Sequence, residues 1–284
     1  MLKLTQISTL IFTLLILNAC GGGGGSTPAP TATTPTPSPT TPGDKSSTPA
    51  SITNSNVDAL AASFVNSVSM SFGAVIGRNL NISNNIGNDY IAQDSGCFNG
   101  IANVTYTLAS TAVTGKTDYS EYDNCFAVRL NGNADISGSF TSSNTIQNIT
   151  IQLNNIQVFR LSDGLSFTLS GTMQLIWKPS VAGSAEYQLV LNTTITNVQD
   201  SSIYKFENFT IDSRLAAGVN YATLSGRFSH SEHGYIDVIN SSEMTFQHFN
   251  LGPSAGVLTL IGAAENAEIS YSSFIPSVTI TPIP

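Results

Sequence analysis

From about residue 100 onward, apolar and polar side chains alternate with a period of two. Ile149, Ile151 and Leu153 alternate with polar neighbours, as do Leu165, Phe167 and Leu169, and Met173, Leu175 and Trp177. Tyr187, Leu189 and Leu191 continue the pattern, and so do Met244 and Phe246. Successive side chains of a strand point to opposite faces, so each run predicts a strand with one dry face and one wet face, as in antiparallel sheet. Asn99-Gly100, Asn131-Gly132 and Asp163-Gly164 favour the positive φ of tight hairpin turns, and residues 157–169 make the clearest hairpin.

Ahead of these runs the spacing is different. Val57, Leu60, Ala61, Phe64, Val65, Val68, Phe72 and Val75 recur every three or four residues and predict an amphipathic helix. Ser55 followed by Asp58 is a variant capping box, and Gly77 is a suitable stop. The polar face carries Ser and Asn rather than Lys and Arg, which suits a cover over a sheet better than a binder of anionic lipid.

Gly132, Gly171, Gly226 and Gly262 each stand two residues after a Leu in strand context, at separations of 39, 55 and 36 residues. That spacing is too irregular for a solenoid, and glycines inside strands mark bulges or bends. The expected fold is mainly β: one N-terminal amphipathic helix followed by a curved antiparallel meander, either a half-barrel or a sandwich.

Composition narrows the function classes. Of 284 residues, 10 are basic and 18 acidic, for a net charge of −8. An acidic chain with few cations is a poor partner for nucleic acid, whose phosphates call for clustered Lys and Arg. Charged residues make up 10% of the chain, against roughly 25% in a typical soluble domain. Three His and three Cys leave little material for a metal or redox centre.

The first fifty residues differ from the rest. Lys3 precedes an apolar run at residues 10–17. This run is shorter than the roughly 20 residues that span a bilayer and has the proportions of an export signal. It ends in Leu17-Asn18-Ala19-Cys20, which resembles the lipobox of bacterial lipoproteins. The resemblance implies that residues 1–19 are a signal peptide and that Cys20 becomes a lipid-modified N-terminus, anchoring the protein to the membrane. It also implies residence in the outer membrane, because Gly21 stands where an Asp would favour retention at the inner one. Five glycines and then a Pro/Thr/Ser-rich stretch make residues 20–50 an expected tether, unable to bury enough apolar surface to fold. Residues 51–284 remain as one β-rich domain.

With Cys20 modified, Cys97 and Cys125 remain, in a compartment where disulfides persist. A bridge between them closes a 29-residue loop, for about 3.5 kcal/mol on the chain-entropy model. Other candidate chemistry does not assemble. Gly252-Pro-Ser254-Ala-Gly256 matches a nucleophile-elbow pattern, but strand-like sequence follows it and all three His precede it. His230-Ser-Glu232-His233, with His248, converges on a metal only across a turn and otherwise reads as a solvated hairpin tip. Asn131, Asn133 and Asp135 alternate like early calcium-loop ligands, but Ile136 and Ser142 replace the required Gly and Glu. The Asn-rich residues 79–88 read as a loop. Asp118, Glu121 and Asp123 cluster without a spacing that identifies acid–base work.

The expectation is therefore a non-enzymatic lipoprotein without cofactor or metal, making structural, carbohydrate or protein contacts at the cell envelope. The alternative is a carrier of lipid or another apolar ligand. In that case a half-barrel lined by Phe167, Leu169, Trp177, Leu189, Phe206 and Phe246 would hold the ligand beneath the helix.

Overall fold

The computed structural model describes residues 44–75, 90–96, 99–109, 111–123, 128–140, 146–161, 163–178, 184–216, 219–246, 253–272 and 275–282. They belong to one compact unit, Pro42–Pro284. Among the described residues one helix, α1 (Val57–Val75), precedes thirteen strands. These are β1 (Tyr90–Ser95), β2 (Ile101–Ala109), β3 (Ala112–Asp123), β4 (Val128–Phe140), β5 (Ile146–Arg160), β6 (Ser166–Lys178) and β7 (Ser184–Asn197). They continue with β8 (Ile203–Ala216), β9 (Val219–His230), β10 (Gly234–Phe246), β11 (Ala255–Ile261), β12 (Glu265–Ser272) and β13 (Ile275–Pro282). Every strand pairs antiparallel with its neighbours in sequence, giving one 13-stranded meander.

The period-two runs become the dry face of this sheet. Ile149, Ile151, Leu153, Leu169, Met173, Leu189 and Leu191 are all buried, and the buried set extends from Ala102 on β2 to Ile269 on β12. Thirteen strands about 4.8 Å apart span about 58 Å, whereas a 19-residue helix is about 28 Å long. The helix thus covers only part of the apolar face. It packs chiefly through Phe64, whose ring lies 5.5 Å from those of Phe209 and Phe228 and 6.1 Å from that of Phe206. At the helix start Asn56 reaches backward, accepting from the Thr53 N–H and donating to the Ser51 carbonyl, while Ser55 meets the Thr53 hydroxyl. The expected forward cap from Ser55 is replaced by this turn. Gly77 lies outside the described residues.

The folded unit begins earlier than residue 51. Lys45 N–H donates to Ser231 O, Tyr235 N–H to Thr48 O, Ala50 N–H to Tyr235 O, and Ala263 N–H to Ala50 O. Ala50 and Ile52 are buried. This strap crosses the tips of the β9–β10 and β11–β12 hairpins, and its cohesion comes from backbone pairing that composition does not reveal.

Three of the strand glycines do mark irregularities in the ladders. Gly132, Gly171 and Gly226 adopt φ of 117°, 110° and 133°. Gly132 therefore sits inside β4, and Asn131-Gly132 is a bulge rather than the expected hairpin. A Cβ on Gly226 would lie 2.7 Å from Phe209 Cα, so only glycine admits the neighbouring backbone. Gly262 behaves differently, with no positive φ; it is kept small by the strap at Ala50 and Ile52. Gly100 and Gly164 hold hairpin turns at φ of 76° and 75°, as their sequence context predicts.

Candidate functional site

The wet face is a field of short polar pairs, most of them cross-strand. Lys116 meets Asp118 at 2.8 Å, and Arg129 holds Asp123 at 2.8 Å with Glu121 at 3.4 Å. Asn154 donates to Asn133 Oδ1 at 2.9 Å and to Asp135 Oδ2 at 2.8 Å. Lys178 pairs with Asp212, which also accepts from Gln188 at 3.0 Å. Arg227 bridges Asp237 at 2.9 Å and lies 3.8 Å from the Tyr235 ring centroid, while Arg214 lies 4.4 Å from that of Tyr221. The Asp237 hydrogen bond holds the Arg227 guanidinium above its ordinary pKa. Asp123 is buried beneath Arg129; the other pairs are largely exposed and each contributes little stability, so that their effect is a hydrated face with most charges matched locally.

A histidine is also removed from water. His230, at the end of β9, is only 5% exposed. Its ring stands edge-on to Tyr204 at 5.0 Å and 4.4 Å from His233. Burial, then the His233 charge, push its pKa down to about 4, with Asp200 opposing. Its Nδ1 accepts the Glu232 N–H at 3.1 Å, which leaves the proton of the neutral ring on Nε2. The expected solvated tip is thus half-sunk, and His230 is a weak proton acceptor at neutral pH. Among the described residues no three His, Cys, Asp or Glu side chains gather as metal ligands. His248 lies outside the described residues.

A small apolar crevice opens between α1 and strands β9 to β11, lined by Phe64, Val65, Val68, Leu224, Met244 and Leu258 among others. It has room for hardly more than one water. Phe206, a proposed lining residue of a ligand cavity, packs instead on Phe64, Phe209 and Phe228.

No family model, no characterised protein and no solved structure matches this chain. The remaining sequence candidates must therefore be judged on their geometry. Ser254 forms the β10–β11 connection, where its hydroxyl donates to Thr245 O at 3.0 Å and its N–H to the same oxygen at 2.7 Å. It is a turn lock with no described His beside it. Asn131, Asn133 and Asp135 lie within β4 and not in a loop. Glu121 and Asp123 share Arg129, but Asp118 pairs separately with Lys116. Cys20, Cys97, Cys125 and residues 79–88 lie outside the described residues. The described residues flanking the two domain cysteines do touch, since Asp123 N–H donates to Asn99 O at 3.1 Å.

Three asparagines perform a task not read from the sequence. Where a bulge breaks a ladder, a backbone N–H loses its strand partner, and an Asn side chain replaces it. Asn131 Oδ1 accepts from Glu121 N at 2.7 Å, Asn192 Oδ1 from Asn208 N at 2.8 Å, and Asn240 Oδ1 from Leu224 N at 2.7 Å. Glu121 and Asn208 themselves have φ of 49° and 48°. The available signal was a polar residue opposite a non-glycine that must turn left-handed, which depends on register.

Proposed function

We propose that this chain is a lipoprotein anchored through Cys20 in the outer membrane, whose β domain has a non-enzymatic structural or binding role at the envelope. The observation that carries the binding role is the wet face: a broad hydrated sheet surface from β3 to β10, bearing paired charges, amides and two arginine-stacked tyrosines. Such a surface offers many oriented donors and acceptors to a glycan or to a polar protein face, and the wet and dry faces have the reverse polarity of a membrane-spanning barrel. The described segments also suit a sheet curled as a half-barrel about α1, because the apolar face is wider than the helix. Anchoring is tested by treating cells with globomycin: the precursor should accumulate unprocessed, and normal processing would remove the lipoprotein reading. Binding is tested with glycan arrays and envelope pull-downs using the full chain. Loss of a captured ligand in Tyr235→Ala supports the wet face, and unchanged capture by that variant assigns binding elsewhere.

A Cys97–Cys125 bridge is part of the same proposal, supported by the Asn99–Asp123 hydrogen bond that joins the flanking segments. Labelling of both thiols in denatured, unreduced protein would overturn it. The carrier reading rests on the crevice beside Phe64, and an apolar ligand there requires α1 to lift. Co-purified lipid in native mass spectrometry would favour it.

A further inference from the structure

In a sequential meander, alternate hairpin tips lie on the same end of the sheet. The β1–β2, β3–β4, β5–β6, β7–β8, β9–β10 and β11–β12 connections share one end. Among the described residues, five large apolar side chains are partly exposed: Ile101, Phe159, Leu161, Val198 and Ile239. All but Ile239 stand at this end. Phe159 and Val198 flank Ser166 in one row, because Phe159 pairs with Ser166 and Val198 N–H donates to Ser166 O at 2.9 Å. Leu161 follows in the β5–β6 turn. Their exposures are 39%, 38% and 56% for Phe159, Leu161 and Val198.

The described chain begins at this same end. Asp44 approaches Lys205, and Lys45 N–H donates to Ser231 O at the β9–β10 tip. Ser231 in turn holds Ile203, just past the turn that carries Val198. The strap at residues 45–52 fixes this entry point, so the chain joins the folded unit beside the apolar row, 24 positions after Cys20.

We propose that the end bearing Phe159, Leu161 and Val198 docks on the surface of the bilayer that holds the lipid-modified Cys20. This rests on the anchoring proposed above. Three partly exposed side chains would bind a bilayer only weakly from solution. A tether leaving from the same end turns that contact into an intramolecular one at high effective concentration. The lipid is zwitterionic rather than anionic, because Asp44, Asp163, Asp200 and Glu232 offset Lys45, Arg160 and Lys205, and the end offers no cationic field.

The chain supplies its own control. Trp177, its one tryptophan, lies near the far end of β6 from Ser166, about 36 Å away along the strand. Full-length lipidated protein is reconstituted into phosphatidylethanolamine/phosphatidylcholine vesicles carrying lipid brominated near the headgroup. Native fluorescence should be unquenched, whereas the indole added in Leu161→Trp should lose at least half of its emission, with little dependence on salt. Val198→Trp should respond alike and serves should the first variant misfold. Vesicle-bound variants with no quenching at either site overturn the docking while leaving the anchor intact. Failure of the native protein to float with vesicles overturns the anchor, and the docking with it.

Discussion

Strands β3 to β10 are 12 to 15 residues long, whereas β1, β2 and β11 to β13 are six to nine. The ladders differ in the same way. At the edges, β1–β2, β2–β3, β11–β12 and β12–β13 keep an unbroken register. In the centre, β3–β4, β4–β5, β5–β6, β7–β8, β8–β9 and β9–β10 each slip, as does β10–β11. A 14-residue strand is about 46 Å long, far longer than α1 is wide, and burying its whole dry face requires it to bend. Bulges increase local bend and twist. The one long regular ladder, β6–β7, has no slip but holds a glycine: Gly171 at φ 110° faces Thr193, where a Cβ would lie 2.9 Å from the Thr193 Cα. Short edge strands need no such device, and β13 is further punctuated by Pro276 and Pro282, residues that sheets tolerate at edges.

The strongest way to break this comparison is to remove the helix side chain that packs on the bulged centre. Phe64 touches three aromatic rings on β8 and β9, beside the bulge at Asn208. Phe64→Ala should cost about 4 kcal/mol in urea denaturation, from lost burial and the cavity left behind. A cost under about 1 kcal/mol would mean that the bulged centre holds without the helix.

The second test separates bulge from turn. Gly226 and Gly164 both have positive φ, but a Cβ on Gly226 meets the Phe209 backbone at 2.7 Å, whereas one on Gly164 meets only the tip of the Phe159 ring at 4.0 Å. Gly164→Ala should therefore cost about 1 kcal/mol, the left-handed penalty alone. Gly226→Ala should cost about 3 kcal/mol by adding strain against a backbone that cannot yield. Equal costs would remove close packing as the reason for glycine at the bulges.

The third concerns the β9–β10 ladder, which has the longest unpaired stretch and whose tip receives the strap. The folded-state pKa of His230 is lowered to about 4, against about 6.5 when unfolded. The unfolded chain therefore binds more protons across that window. The contribution is complete above about pH 6.5 and is lost as pH falls toward 4. Allowing for solvent screening at a hairpin tip, the loss is about 2 kcal/mol. His230→Leu should flatten the stability profile between pH 6.5 and 4, and an unchanged slope would place the titration elsewhere.

Much of this architecture is legible in the chain because burial leaves a periodic trace. The runs from Ile149 and from Met173 have the right face, and Gly132, Gly171 and Gly226 are visible as breaks in the ladders. The strap is hidden, since residues 44–52 contribute mainly backbone bonds and only Ala50 and Ile52 as apolar anchors. His230 is hidden for a related reason: among Ser231, Glu232 and His233 nothing in composition says which side chain turns inward. The row of Phe159 and Val198 requires register across three strands, which no local pattern carries.

Asparagine gives the finest test, because its wet-face and bulge-filling uses have the same composition. Asn192 is exposed, yet its Oδ1 replaces a missing strand carbonyl for Asn208 N–H, where β8 turns through φ 48° between Phe206 and Phe209. Asn192→Ala leaves that donor to water at best, so a cost of about 1 kcal/mol is expected. Gln152 is an equally exposed amide on the regular stretch of β5 between Ile151 and Leu153, and Gln152→Ala should be close to neutral. If chemical denaturation finds the two substitutions equivalent, the Asn side chains decorate the bulges rather than complete them. If only Asn192→Ala destabilises, amide exchange at Asn208 should accelerate in that variant, since the bond lost is the one that closes the bulge.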